Sequence, residues 1–229
     1  MYTRLVFHLA QRLLAKAAVV LRRPNAFLAN VDSIVHVGAN AGQERIEYAR
    51  FALDVFWIEP IPSVFRELQK NIASLPKQRG HQALLSDRDD TEVILHIANN
   101  NGASSSIFDI SEHRKIWPDI EFTHDVAIQS VTLSTLIQRE GISLGKRPAL
   151  VLDTQGSELL ILKGAEDILR NFLYIKTEAA DFESYRGCCR LADVSTFLKA
   201  HGFRETRRDA FASRPDVGTY YDVLYKRHD

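Results

Sequence analysis

Beyond Pro24, short apolar runs alternate with stretches whose apolar residues recur every three or four positions. This is the pattern of βαβ units around a largely parallel sheet. The runs at 33–37, 55–58 and 81–85 read as the first three strands, separated by helices over 44–53 and 63–75. A further strand is expected at 91–98, a polar loop at 99–106, another strand at 126–131 and a short helix at 133–140. The region near 91–131 therefore reads as a lid-like insertion. The core pattern resumes with a strand at 149–152, a helix at 157–171 and a strand at 172–177. A helix at 191–200 is closed by Gly202, and two β-prone segments at 203–208 and 219–226 pair as an antiparallel hairpin at the sheet edge. The predicted fold is α/β: a doubly wound, mostly parallel sheet of seven strands with an antiparallel C-terminal hairpin.

The first 24 residues have a different pattern. Leu5, Leu9, Leu13, Ala17 and Val20 recur at helical spacing, while Arg4, Arg12 and Lys16 interrupt the apolar run. That predicts an amphipathic helix over 1–24, packed on the domain or a partner or lying on a membrane surface, and excludes a span of about 20 apolar residues. The remaining 25–229 suffice for a single domain, since 229 residues at 45% hydrophobic content build one substantial core. Twenty-nine basic side chains against 29 acidic ones leave no global field to attract nucleic acid, which is not expected as a partner. The two cysteines, Cys188 and Cys189, are adjacent and poorly placed for an ordinary disulfide, which points to a reducing, cytoplasmic setting.

Candidate chemistry collects at the ends of the predicted strands. In GANAG, Gly38 and Gly42 flank a turn that a ligand can approach closely, with the amides of the next helix expected to face it. The third glycine of the dinucleotide fingerprint is missing, which disfavours a nicotinamide cofactor. Glu59 ends the second strand about 20 residues on, where a carboxylate can accept from both hydroxyls of a ribose. Ser86 and Asp87 follow the third run; a carboxylate there can receive the amino group of adenine, or cap a turn. Asp153 leaves the fourth core run, and Gly156 permits a tight turn after it. In an open α/β sheet, ligands bind beyond the carboxyl ends of the strands, so Gly38, Glu59, Asp87 and Asp153 are expected to converge.

The order HVGANAGQE, WIEPIPSVFRELQKNI, NGASSSIF, VTLSTLI, LDTQGSELLILKGA and IKTEAADFESY is similar to the FkbM-type methyltransferase family, from about Val31 to the C-terminus. Its most specific stretch is Asp153, Gln155, Gly156 and Glu158, followed by Lys163 and Gly164. The resemblance implies a Rossmann-like domain of class I methyltransferase type, S-adenosyl-L-methionine as cofactor, and O-methylation of a small hydroxylated acceptor such as a sugar. The cofactor-binding set becomes Gly38, Ala39, Asn40, Gly42, Glu59, Pro60, Ser86, Asp87 and Gln155. His36 joins it at a position where family members commonly carry an acid. Asp153 is the first candidate for general base and Glu178 the second. Asn100, Gly102, Ser104, Ser105 and Ser106 are short groups suited to closing over a ligand, and Trp117 can stack on a sugar face. Asp153, Glu178 and Asp181 have no metal-loop spacing, so no metal is expected. The competing reading is a non-catalytic Rossmann-like module that binds a nucleotide or docks a partner.

Overall fold

The computed structural model describes residues 25–228; the helix expected over 1–24 lies outside them. The chain divides into two units, Met1–Asn30 and Val31–Asp229. The described part of the first contains a 3-10 helix, Ala26–Asn30.

The second unit opens with β1 (Ser33–Val37), α1 (Arg45–Arg50), β2 (Asp54–Ile58), α2 (Pro62–Ile72) and β3 (Gln78–His81). The insertion follows as β4 (Leu84–Leu85), β5 (Glu92–Ala98), α3 (His113–Ile116) and β6 (Phe122–Val131). Then come α4 (Leu133–Arg139), β7 (Pro148–Leu152), α5 (Glu158–Lys163), β8 (Tyr174–Ala180) and α6 (Leu191–Ala200), and finally β9 (Phe203–Arg214) and β10 (Gly218–Arg227).

Seven strands form one sheet in the order β3-β2-β1-β7-β8-β10-β9, parallel except for β10, which runs antiparallel to both neighbours. All five residues of β1 and of β7 are buried, as expected for central strands covered on both faces. The chain winds outwards from β1 to β3 and then crosses back to β7 on the other side of β1. The carboxyl ends of β1 and β7 therefore flank a topological switch point, where open α/β sheets bind ligands. Helices supply the covering layers: α2 buries Val64, Phe65, Leu68 and Ile72, and α6 buries Leu191, Val194 and Leu198.

Three sequence-based expectations change. The third core strand is 78–81, because Leu84 and Leu85 leave the main sheet to pair in parallel with Ser130 and Val131. The insertion is a three-stranded sheet, β4-β6-β5, in which β5 and β6 form an antiparallel pair. The helix expected over 157–171 stops at Lys163 and resumes only as a 3-10 turn, Leu169–Asn171. The next residue, Gly164, lies so close to the carbonyl oxygen of Ser86 that a Cβ would sit 2.2 Å from it. The terminal hairpin lies at the sheet edge as expected, with β9 outermost and β10 paired to β8.

Candidate functional site

A cavity of about 270 Å³ opens at the switch point. Its floor is the turn after β1. Gly38 (φ 78°) brings the end of β1 against the end of β7 so closely that a Cβ would lie 1.8 Å from the carbonyl oxygen of Asp153. The amides of this turn are engaged within the protein. Gly38 and Ala39 donate to the carbonyl of Ile58 at 3.0 and 3.1 Å, and Gly42 donates to Ala39 at 2.9 Å. Asn40 donates its amide to Glu59 Oε2 at 2.9 Å, and Ala41 donates to the Asn40 side chain at 2.8 Å. The five amides from Gly38 to Gly42 are thus occupied, which leaves no nest for a phosphate within the turn itself.

Glu59 lies at the cavity wall and is buried. Its two oxygens accept from the Asn40 and Ile61 amides, both at 2.9 Å. Burial raises its pKa to about 7 against the pull of those two hydrogen bonds. Each oxygen keeps a further acceptor position. Pro60, Ala39 and Asn40 also line the cavity, as does His36. His36 stacks on Trp57 with ring centres 4.9 Å apart and its Nδ1 lies 3.1 Å from the Tyr48 hydroxyl; burial lowers its pKa to about 3, so it is neutral.

Three expected residues are placed elsewhere. Gly42 (φ 73°) does not line the cavity; it gives room to α2, since a Cβ there would meet Leu68 Cδ1 at 2.8 Å. Ser86 and Asp87 also lie outside the lining, with Ser86 buried beneath Gly164 and its hydroxyl donating to Asp87 at 3.3 Å. The early departure of the chain into β4 is the reason: it presents Ala83, Leu84 and Leu85 to the cavity instead. With Leu95 and Ile107 from the insertion these make an apolar slot that the sequence reading missed. Gly102, Ala103 and Ser105 close over the same cavity, and the Asn40 side chain donates to the carbonyl of Asn101 at 3.1 Å. Trp117 lies away from it, packed on His113 and Tyr220.

Asp153 and Gln155 occupy the other end. Burial raises Asp153 to about 6, opposed by a hydrogen bond from Gln155 Nε2 at 2.8 Å. The same nitrogen reaches Glu178 Oε1 at 3.4 Å. Glu178, raised well above the usual carboxylate range by burial and then by Asp153, does not line the main cavity; it lines a void of about 10 Å³ behind it. Glu158 ties the turn together, accepting from the amides of Thr154 at 2.9 Å and Gly156 at 3.1 Å. Glu44, another partly buried acid on the lining, was not anticipated. Among the described residues no group of three or more His, Cys, Asp or Glu is arranged to hold a metal ion. No helix among them is long and apolar enough to cross a membrane.

Residues 36–205 match the model of the methyltransferase FkbM domain. The chain belongs to the FkbM methyltransferase family. The family is S-adenosylmethionine-dependent, and the matched residues include the turn that carries Asp153, Gln155 and Glu158. No curated protein matches the sequence closely enough to count as a relative. Among solved structures, an uncharacterized protein from Listeria monocytogenes serotype 4b shares the fold, with a TM-score of 0.50 at 8% identity over 91% of this chain and 68% of its own. TrmK of M. capricolum in complex with S-adenosyl-homocysteine follows at 0.48 and 6%, covering 91% and 69% of the two chains. Magnesium protoporphyrin IX methyltransferase from Synechocystis PCC 6803 with bound S-adenosylmethionine aligns at 0.48 and 10%, covering 95% and 79%.

Proposed function

We propose that the chain binds S-adenosylmethionine in the 270 Å³ cavity and methylates a hydroxyl of a small acceptor, sugars included, with Asp153 as general base. One observation carries this reading. The charged side chains among the described lining residues are the acids Glu44, Glu59 and Asp153, with no Lys or Arg, and the glycine turn has no free amides. Such a cavity repels a phosphate and suits a ligand that bears positive charge and no phosphate. This also weighs against the nucleotide-binding module and a nicotinamide cofactor.

The residues present fit the cofactor in parts. Glu59 has acceptor positions for a ribose diol, the slot of Leu84, Leu85 and Leu95 suits a flat base, and Asp153 supplies negative charge at the opposite end. Gly38, Ala39, Asn40 and Pro60 shape the wall between, and the insertion acts as the lid. When bound, S-adenosylmethionine supplies an electrophilic methyl group. Asp153 then takes the proton of the attacking hydroxyl onto a carboxylate oxygen. A pKa near 6 leaves it ionised at neutral pH while keeping it more basic than an exposed aspartate.

Calorimetric titration tests the cofactor. Saturable binding of S-adenosylmethionine and S-adenosylhomocysteine, none of NAD, and at least a tenfold loss in Glu59→Ala are expected, since a hydrogen bond to a charged group is worth about 1.5–3 kcal/mol. Asp153→Asn should weaken S-adenosylmethionine binding, leave S-adenosylhomocysteine binding nearly unchanged and abolish methyl transfer to a panel of hydroxylated acceptors. Folded protein that binds neither adenosyl ligand would overturn the reading in favour of a docking module.

A further inference from the structure

Asp153 lines only the main cavity and Glu178 only the small void, whereas Gln155 lines both. Every polar atom of its side chain is engaged. Nε2 donates to Asp153 at 2.8 Å and reaches Glu178 at 3.4 Å, while Oε1 accepts from the Tyr185 hydroxyl at 2.9 Å. Its backbone carbonyl accepts from the Ser106 hydroxyl at 2.7 Å, which holds the residue at φ 53°, a conformation unusual for a residue with a Cβ. The amide sets its Nε2 donor between the two carboxyl groups and its oxygen under the Tyr185 hydroxyl, which also lies 3.2 Å from the Ser104 carbonyl.

Two carboxyl groups bridged by one amide repel each other when both are ionised. Little compensates for that repulsion here. The charged groups facing them are Glu158 on α5, Asp222 on β10, Glu44 beside α1 and Glu59 after β2, with Tyr185, Tyr220 and Cys189 nearby. Lys176 on β8 is already paired with Asp222 at 3.2 Å. The bridge is also unequal, since the shorter bond favours negative charge on Asp153 and the longer one leaves Glu178 the better place for a proton.

We propose that Gln155 is a positioning residue that makes Asp153 and Glu178 one proton-sharing pair, with the proton on Glu178 and Asp153 ionised towards the cofactor cavity. The proposal rests on the cofactor reading above and assigns Gln155 a role other than direct cofactor contact. During transfer the acceptor O–H bond breaks and its proton joins Asp153, so the pair becomes doubly protonated and returns one proton to water afterwards. The pair can take up that proton because Gln155 stabilises the ionised member without neutralising it.

The test needs no acceptor. S-adenosylmethionine is titrated into the full chain between pH 5 and 9 in two buffers of different ionisation heat, which counts the protons released on binding. A sulfonium beside the pair lowers its proton affinity, so the release on S-adenosylmethionine binding in excess of that on S-adenosylhomocysteine, which lacks the charge but meets Glu59 in the same way, should peak near pH 6 in the wild type. In Gln155→Met, which keeps an unbranched chain of similar length at the same φ, the maximum should move up by about one pH unit. Tyr185→Phe, which frees the amide to rotate, should move it the same way by less. Circular dichroism establishes that each variant is folded. Cofactor binding with an unshifted proton-release profile in both variants overturns this proposal alone. Absence of cofactor binding in the wild type overturns the proposed function and this inference with it.

Discussion

Gly38 and Gly164 show two reasons for a missing side chain. At Gly38 the backbone is left-handed and a Cβ would overlap the carbonyl of Asp153; at Gly164 the backbone is helical, and only the approach of the Ser86 carbonyl excludes a Cβ. Gly164→Ala should therefore destabilise by about 1–3 kcal/mol, through overpacking against backbone, although alanine is the better helix former. Gly38→Ala adds a conformational cost of about 1–2 kcal/mol to a closer clash and should be the worse of the two. Urea unfolding of both variants decides this; a Gly164→Ala protein as stable as wild type would show that the contact relaxes freely. Glu59 illustrates the limit of legibility at this scale. Its place at a strand end can be read from the chain, but its two backbone partners cannot, because they depend on how the turn after β1 folds back over β2.

Among the described helices, α2 is the longest, with 11 residues. Leu68 is fully buried on its inner face and also closes over Gly42. Leu68→Ala should cost about 2–5 kcal/mol and lower the urea midpoint with little change in slope. A loss under about 1 kcal/mol would mean the neighbouring side chains collapse into the space. Helices and central strands were legible because burial of one face imposes a period that local sequence must obey. The end of α5 and the split between β3 and β4 were not. Each depends on a distant segment, Ser86 in one case and β6 in the other, and short apolar runs carry no mark of their partner.

Across the whole molecule, buried titratable groups couple stability to pH. His36 is held neutral with a pKa of about 3 and His113 with about 4, against 6.5 in the unfolded chain. Below pH 6.5 the unfolded state binds more protons than the folded one, so each histidine lowers stability by up to about 1.4 kcal/mol per pH unit down to its folded pKa. The buried acids act in the opposite sense. Glu59, raised from 4.5 to about 7, and Asp153, raised from 3.8 to about 6, make the folded state take up protons first, so the cost of their burial is relieved as pH falls through those ranges. His36→Phe, which keeps a ring beside Trp57, removes one of these contributions. The stability lost between pH 7.5 and pH 5 should be smaller in the variant by about 2 kcal/mol, measured by urea unfolding at both values. Equal losses in the two proteins would show that His36 is not held neutral.

The sequence by itself determined the class of fold, the positions of most elements, the family and the presence of acids at strand ends, since periodicity, turn glycines and motif residues are local properties. Only the tertiary structure decided which of those acids share a cavity. It removed Ser86 and Asp87 from the lining, occupied the amides of the glycine turn, and set Gln155 between Asp153 and Glu178 under the hydroxyl of Tyr185. These are contacts between segments far apart in the chain, and a hydrogen-bond partner brought in by packing leaves no trace in the spacing of residues along it.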